Sequence, residues 1–264
     1  MSRRRWLILL LLGALMTLFG AIWVSTPGYM DADYYFAVGQ RLAHGDGFTE
    51  PFIWTYATDP AGIMHPSNLY WMPFTSILAA LPMSLFGVSF RIAQLPFLLL
   101  AALLPVGAAR LSLDVFDHPD HAWRAGWLAA FSGFFFPYFL TTDMFILYAW
   151  LGLGIFYILG TRPAASALWR WFLIGVFIGL AHLARADGWL FFLPALTAIF
   201  VRSGRKAPWI LMLVVGYLLP MGPWFLRNLS VAGSPLAPGV GRSLWLTSYP
   251  QFFSYPPELI TFQS

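Results

Sequence analysis

Residues 6–24 carry no charge, and seven further uncharged apolar runs follow at 69–90, 92–109, 125–142, 144–160, 171–184, 188–201 and 208–226. A helix that spans a bilayer needs roughly 20 apolar residues, so most of these runs are long enough to cross. Charged side chains make up 10% of the 264 residues, against about 25% in a soluble domain. The sequence therefore predicts an all-α polytopic membrane protein. The net charge of +4 does not point to nucleic acid, because the basic residues are scattered in short loops. With no cysteine, the chain has no disulfide, thiolate metal site or cysteine nucleophile.

The first run follows a basic start, Met1 to Arg5, and is longer than the apolar core of a signal peptide, about 7–15 residues. It reads as an uncleaved first helix with its N-terminus in the cytoplasm. The run at 69–90 is interrupted by Pro73 and Pro82, and proline removes a helix hydrogen bond. Lys and Arg favour cytoplasmic loops, which decides whether that run crosses. If it does not, Arg3, Arg4, Arg5, Arg110, Arg124, Arg162, Arg170, Arg202, Arg205 and Lys206 lie inside. Arg41, Arg91, Arg185, Arg227 and Arg242 then lie outside, five against ten. If it crosses, seven lie inside and eight outside. The first arrangement is favoured, and it predicts about seven spanning helices with 69–90 as broken helices at the outer interface. It also puts only Asp114, Asp117 and Asp120 of the 11 acids inside. Asp31, Asp33, Asp46, Glu50, Asp59, Asp143, Asp187 and Glu258 gather outside, which was no part of the choice. A set of carboxylates on one membrane face suggests chemistry there.

Asp31 and Asp33 come just before a stretch, Tyr34 to Leu42, that reads as a helix ending at Gly45 and Gly47, where glycine suits a helix C-terminus. Asp31 shares a face with Tyr35, Val38 and Leu42, while Asp33 points to another side. A capping role is the structural alternative for Asp31. Asp143 sits between two apolar runs, either at a functional position or as a plain helix boundary in headgroup water. Arg185-Ala186-Asp187-Gly188 joins two short runs of 14 residues each, about 21 Å as helices against a core of ~30 Å, so the turn is predicted to line a cavity. Arg185 suits phosphate, or else pairs locally with Asp187. Arg227 ends the last run beside Trp224, the pattern of an interfacial anchor. His65 fits a phosphate or metal contact or a structural hydrogen bond. His118, Asp120 and His121 resemble a metal cluster but fall in a short cytoplasmic loop and read as solvated.

Taken in order, these residues resemble the GT-C superfamily of membrane glycosyltransferases, in the branch of the protein O-mannosyltransferases and aminoarabinose transferases. The resemblance rests on Asp31-Ala32-Asp33-Tyr34-Tyr35, Leu42 through Gly47-Phe48, His65-Pro66 with Leu69-Tyr70, Asp143, Arg185-Ala186-Asp187-Gly188, and Pro223-Trp224 with Arg227-Asn228. It covers essentially the whole chain as one domain, 1–264, with an external catalytic loop at 25–90 and an external Pro/Gly-rich segment at 228–264. It implies an inverting enzyme of a bacterial or archaeal plasma membrane. Such an enzyme moves a sugar from a polyprenyl-phosphate donor to a glycan, lipid or protein acceptor. Asp31 stands at the position of the catalytic base. Asp33, His65, Asp143, Arg185, Asp187 and Arg227 are the substrate-binding set, and Asp31 with Asp143 are the ligands where a divalent cation is used. Many relatives have Asp-Glu in the first loop, whereas Asp31 here is followed by Ala32, so the base is Asp31 or Asp33. Relatives also continue past the position of Ser264, which implies an N-terminal piece of a longer protein.

Two other functions fit the same composition. A lipid or sugar transporter would place its polar groups near mid-membrane. An accessory membrane subunit would leave Asp31 and Asp143 dispensable.

Overall fold

The computed structural model describes residues 1–255 apart from 59, 162–166, 203, 205 and 244. Asp59, Arg162, Arg205 and Glu258 lie outside the described residues, as does the end of the 228–264 segment.

The fold is all-α. Helices α1 (Arg3–Trp23) and α2 (Met30–His44) are followed by two short strands, β1 (Thr49–Glu50) and β2 (His65–Pro66). Then come α3 (Phe74–Phe86), α4 (Phe90–Phe116), α5 (Pro119–Ala130), α6 (Phe136–Phe139), α7 (Met144–Gly160), α8 (Leu168–Ala184), α9 (Phe192–Val201), α10 (Lys206–Ala232) and α11 (Pro238–Ser243). The antiparallel pair β1–β2, with Glu50 opposite His65, is the one sheet among the described residues.

Three described helices are long and apolar enough to cross a membrane alone: α1, α4 and α10. A fourth arises if the segments Gly133–Phe139 and Met144–Gly160 count together, but they meet at a 111° bend. This corrects the expected count of about seven. The other five apolar runs do not fold as unbroken helices of spanning length. The run at 125–142 is divided by a turn at Gly133 and ends in the bend before Asp143. Helices α7 and α8 have 17 residues each, about 25 Å, and α9 has 10. The run at 69–90 is not one helix either, since α3 starts only after Pro73 and has 13 residues.

The long helices α1, α4 and α10 each bury a narrow stripe and leave much of the rest apolar and exposed, as a lipid-facing surface requires. On α1 the buried residues recur every four positions, Leu9, Gly13, Thr17 and Ala21, while Leu7, Leu15, Phe19 and Trp23 stay exposed. The closest contact in the bundle joins α8 and α10. A methyl group on Gly175 would meet the carbonyl of Leu213, and one on Gly216 the carbonyl of Phe172. The two backbones touch because both positions are glycine. Around this contact Ile155, Trp171, Ile178, Trp209 and Leu213 form one core. Met83, Phe97, Leu140 and Ile146 form another, between α3, α4 and α7.

The polar side chains separate to the two ends of the helices. At one end Arg5 pairs with Asp120, Arg110 with Asp114, and Arg170 and Arg202 bind carbonyls of α7. At the other, Arg91 binds the carbonyls of Ala21 and Val24, and α2, α3 and the strand pair cover the helix ends.

Candidate functional site

Helix α2 brings Asp31 to the site. Its N-cap is Tyr29, with no side-chain cap, so Asp31 sits inside the first turn and is not the cap. Asp31 and Asp33 there complement the positive end of the helix dipole. Tyr34, Tyr35, Val38 and Gly39 bury one face of α2 against α3 and the strand region. Gly45 closes the helix in the left-handed conformation, φ 85°. Asp33 is exposed.

The Thr141-Thr142-Asp143 turn holds the start of α2. The Thr141 hydroxyl donates to the Pro27 carbonyl at 2.8 Å, and Thr142 donates to Ala32 at 2.9 Å. Asp143 is the N-cap of α7 and accepts from the Met144 N–H. Its side chain is fully buried, and Oδ2 has no hydrogen-bond partner among the described residues. A desolvated carboxylate oxygen left unpaired costs free energy that only a ligand or a proton offsets.

The third element is the turn after α8. Arg185 Nε donates to both oxygens of Asp187, at 2.8 and 2.9 Å, so the local pair does form. Its two terminal amino groups make no hydrogen bond among the described residues, which leaves the fork of the guanidinium open. The turn packs back on α8 because residue 188 is glycine, since a Cβ there would overlap the Ala181 carbonyl and the His182 amide.

These elements enclose a cavity of about 380 Å³ lined by Asp31, Tyr35, Tyr70, Trp71, Met144, Phe145, Arg185 and Asp187, among others. Three of the site residues expected from the sequence, Asp31, Arg185 and Asp187, line it together. Asp143 stands directly beside its Met144 wall. Burial pushes the Asp31 carboxyl above its ordinary value, and the Arg185 guanidinium pulls it back. Asp31 accepts no hydrogen bond among the described residues, so one carboxylate of the cavity is uncommitted. A second, largely apolar groove of about 330 Å³ adjoins the cavity, lined by Phe135, Phe139, Phe145, Tyr148, Ala149 and Arg185. Phe145 and Arg185 belong to both.

His65 and Arg227 do not line the cavity. They belong with Glu50 to a buried cluster behind its wall. Asp33 lies outside both. Sequence reasoning missed Tyr35, Tyr70 and Trp71 as cavity walls; their aromatic character had no spacing that marked it as more than interfacial. It also counted Glu50 only as one more loop acid. Among the described residues no group of three or more His, Cys, Asp or Glu is placed to hold a metal, His118 and His121 included. Mg²⁺ commonly takes only one or two carboxylates together with substrate phosphate and water; of the two expected ligands Asp31 lines the cavity, while Asp143 is fully buried and does not line it.

Comparison of the chain with protein-family models, curated proteins and solved structures finds no match.

Proposed function

We propose that the protein is an inverting glycosyltransferase that uses a polyprenyl-phosphate sugar as donor at the non-cytoplasmic face of a membrane. The observation that carries this reading is the junction at Arg185, where a cavity holding carboxylates adjoins an apolar groove. A lipid phosphate needs that combination: an apolar channel for its chain, a cation where the chain ends, and polar space beyond for the sugar. Residues 25–90 and the resemblance to the GT-C superfamily point the same way.

The orientation follows from charge. The end of the bundle opposite the cavity carries Arg3, Arg4, Arg5, Arg110, Arg170 and Arg202, and basic residues favour the cytoplasm. The cavity end is then external.

In this reading Asp31 takes the proton of an acceptor hydroxyl, whose oxygen attacks the anomeric carbon from the face opposite the phosphate. The carbon–phosphate oxygen bond breaks, and the polyprenyl phosphate leaves as an anion. A raised carboxyl value suits a general base, and the proton stays on Asp31 until it exchanges with water. The open fork of Arg185 stabilises the charge that develops on the phosphate. Asp143, fully buried, holds the Met144 wall through the Met144 N–H; were a divalent cation used, Asp31 would be its ligand from the cavity, and the cation would add positive charge beside the leaving phosphate.

The test is transfer of labelled sugar from a panel of polyprenyl-phosphate sugars in proteoliposomes. Label should appear in acceptor only with intact protein. Binding of donor without transfer, together with movement of the lipid or sugar across the bilayer, would favour a transporter instead.

A further inference from the structure

Behind the cavity wall lies a buried cluster of titratable groups that the proposed reaction does not use. Glu50 and His65 face each other across β1–β2 and are 5% and 7% exposed. His65 Nε2 lies 3.3 Å from Glu50 Oε1 and 3.0 Å from the Phe52 carbonyl, and Nδ1 lies 3.2 Å from the Pro66 carbonyl. Both ring nitrogens therefore face oxygen acceptors. A neutral imidazole has one N–H and leaves the other nitrogen facing oxygen without a proton between them. Among the described residues Glu50 Oε2 has no partner in hydrogen-bonding geometry, with the Tyr34 hydroxyl as its near neighbour. The other titratable or charged groups facing Glu50 are the Tyr34 phenol from α2 and the Arg227 guanidinium from α10.

The same cluster holds the segment that carries the wall. Arg227 donates to the Ser67 carbonyl at 2.7 Å and the Phe48 carbonyl at 3.3 Å, and its guanidinium lies 4.7 Å from the centre of the Trp224 ring. The Ser67 N–H donates to the Phe48 carbonyl at 3.0 Å. The Asn68 N–H donates to the Tyr34 hydroxyl at 2.7 Å, and the Asn68 side chain donates to the Trp71 carbonyl at 3.2 Å. Residues 70–72, which follow directly, line the cavity.

We propose that Glu50 and His65 act as positioning residues: while the Glu50 carboxyl carries a proton the two fix segment 65–72, and loss of that proton releases the Tyr70, Trp71 and Met72 wall. With the proton present, each ring nitrogen has a partner and no uncompensated anion is buried. Without it, a carboxylate with one unpaired oxygen stands beside a neutral ring whose second nitrogen faces carbonyls. Burial pushes the Glu50 carboxyl up to about 7, against the opposing pull of the Tyr34 hydroxyl and Arg227. A value raised in the fold above the ordinary 4.5 places the stabilisation fully below 4.5 and removes it as pH rises through about 7.

Hydrogen exchange of the 65–72 amides in nanodiscs tests this without any glycosyl donor. Rates are divided by the intrinsic rate at each pH, between about pH 6 and about pH 8.5. About 1.5 units above the midpoint roughly 3% of the protein keeps the proton, so protection in the wild type should fall by up to about 30-fold. Glu50→Gln holds a neutral, hydrogen-bonding side chain at every pH and should show no such fall; Glu50→Met, which removes the carboxyl altogether, is the second, independent non-titrating variant. Equal falls in wild type and both variants, or no fall in the wild type, overturns the proposal. The kinetic arm rests on the proposed function: the donor KM of the wild type should rise over the same pH range with kcat unchanged and stay flat in Glu50→Gln. A change in kcat at constant KM would refute the positioning role. Loss of protection without any sugar transfer would support the latch and count against the glycosyltransferase reading.

Discussion

Replacing Arg185 with alanine separates a phosphate-binding arginine from a locally paired one. Arg185 spends Nε on Asp187 and keeps its terminal amino groups uncommitted at the junction of cavity and groove. Each charge-assisted hydrogen bond lost to a phosphate is worth roughly 1.5–3 kcal/mol, or about 10- to 150-fold in donor binding. The pair with Asp187 itself is 38% and 44% exposed, so its loss should leave the melting temperature nearly unchanged. Arg185→Lys keeps the charge without the fork and should fall between wild type and alanine. The substitution also acts on Asp31, because Arg185 opposes the rise that burial imposes on its carboxyl. Without that opposition the carboxyl rises further, and the acidic limb of the rate profile should move to higher pH. Donor affinity, measured by displacement of a labelled polyprenyl phosphate, and the pH–rate profile together read both effects. Arg41→Ala is the control, since Arg41 pairs with Asp46 away from the cavity. Equal effects of the two alanine variants, with an unmoved acidic limb, would refute the assignment of Arg185 to the phosphate.

Three further outcomes follow from the packing and the charge distribution. Gly216→Leu should prevent α8 and α10 from meeting and lower thermal stability by at least the ~1–3 kcal/mol typical of overpacking, while Gly222→Ala, with open space around it, should not. Thr142→Val removes the hydroxyl that donates to the Ala32 carbonyl and should cost about 0.5–1.5 kcal/mol in a melting measurement, with turnover falling as the first turn of α2 shifts. Because the chain has no cysteine, single cysteines at Gly62 and His121 report sidedness cleanly; a membrane-impermeant thiol reagent applied outside should label the first and spare the second. The opposite pattern would put the cavity in the cytoplasm.

What the sequence showed depended on how local the determinant was. The end of α2 at Gly45 was legible, because left-handed closure acts within a few residues, whereas its start at Met30, ahead of the expected Tyr34, and the close approach of Gly188 to α8 were not. The gathering of Asp31, Arg185 and Asp187 was foreshadowed by sidedness, since charges excluded from lipid collect at helix ends. The number of spanning helices was not legible: an apolar run of about 18 residues looks the same whether it folds as one helix or bends at Gly133 and again before Asp143. Nor was the Glu50–His65 pair. Two strands of two residues each, with 14 residues between their start and end partners, have no periodicity to read. Arg227 looked like an interfacial anchor beside Trp224, and it does lie over that ring. Its two carbonyl contacts to the first loop come from residues about 160 and 179 positions away in the chain.

The central claim is that Asp31 is the base for sugar transfer from a lipid phosphate. Asn keeps the shape of Asp31 and cannot take a proton; Asp31 caps no helix, so the change should leave the fold intact. The decisive measurement is single-turnover transfer from a polyprenyl-phosphate sugar by Asp31→Asn, with donor binding measured on the same preparation and Asp33→Asn beside it. The expected result is unchanged donor binding with turnover lowered by about 10²–10⁴ in Asp31→Asn, and near-normal turnover in Asp33→Asn, whose side chain is exposed away from the cavity. Near-normal transfer by Asp31→Asn with loss in Asp33→Asn would move the base to Asp33. Near-normal transfer by both would contradict the account.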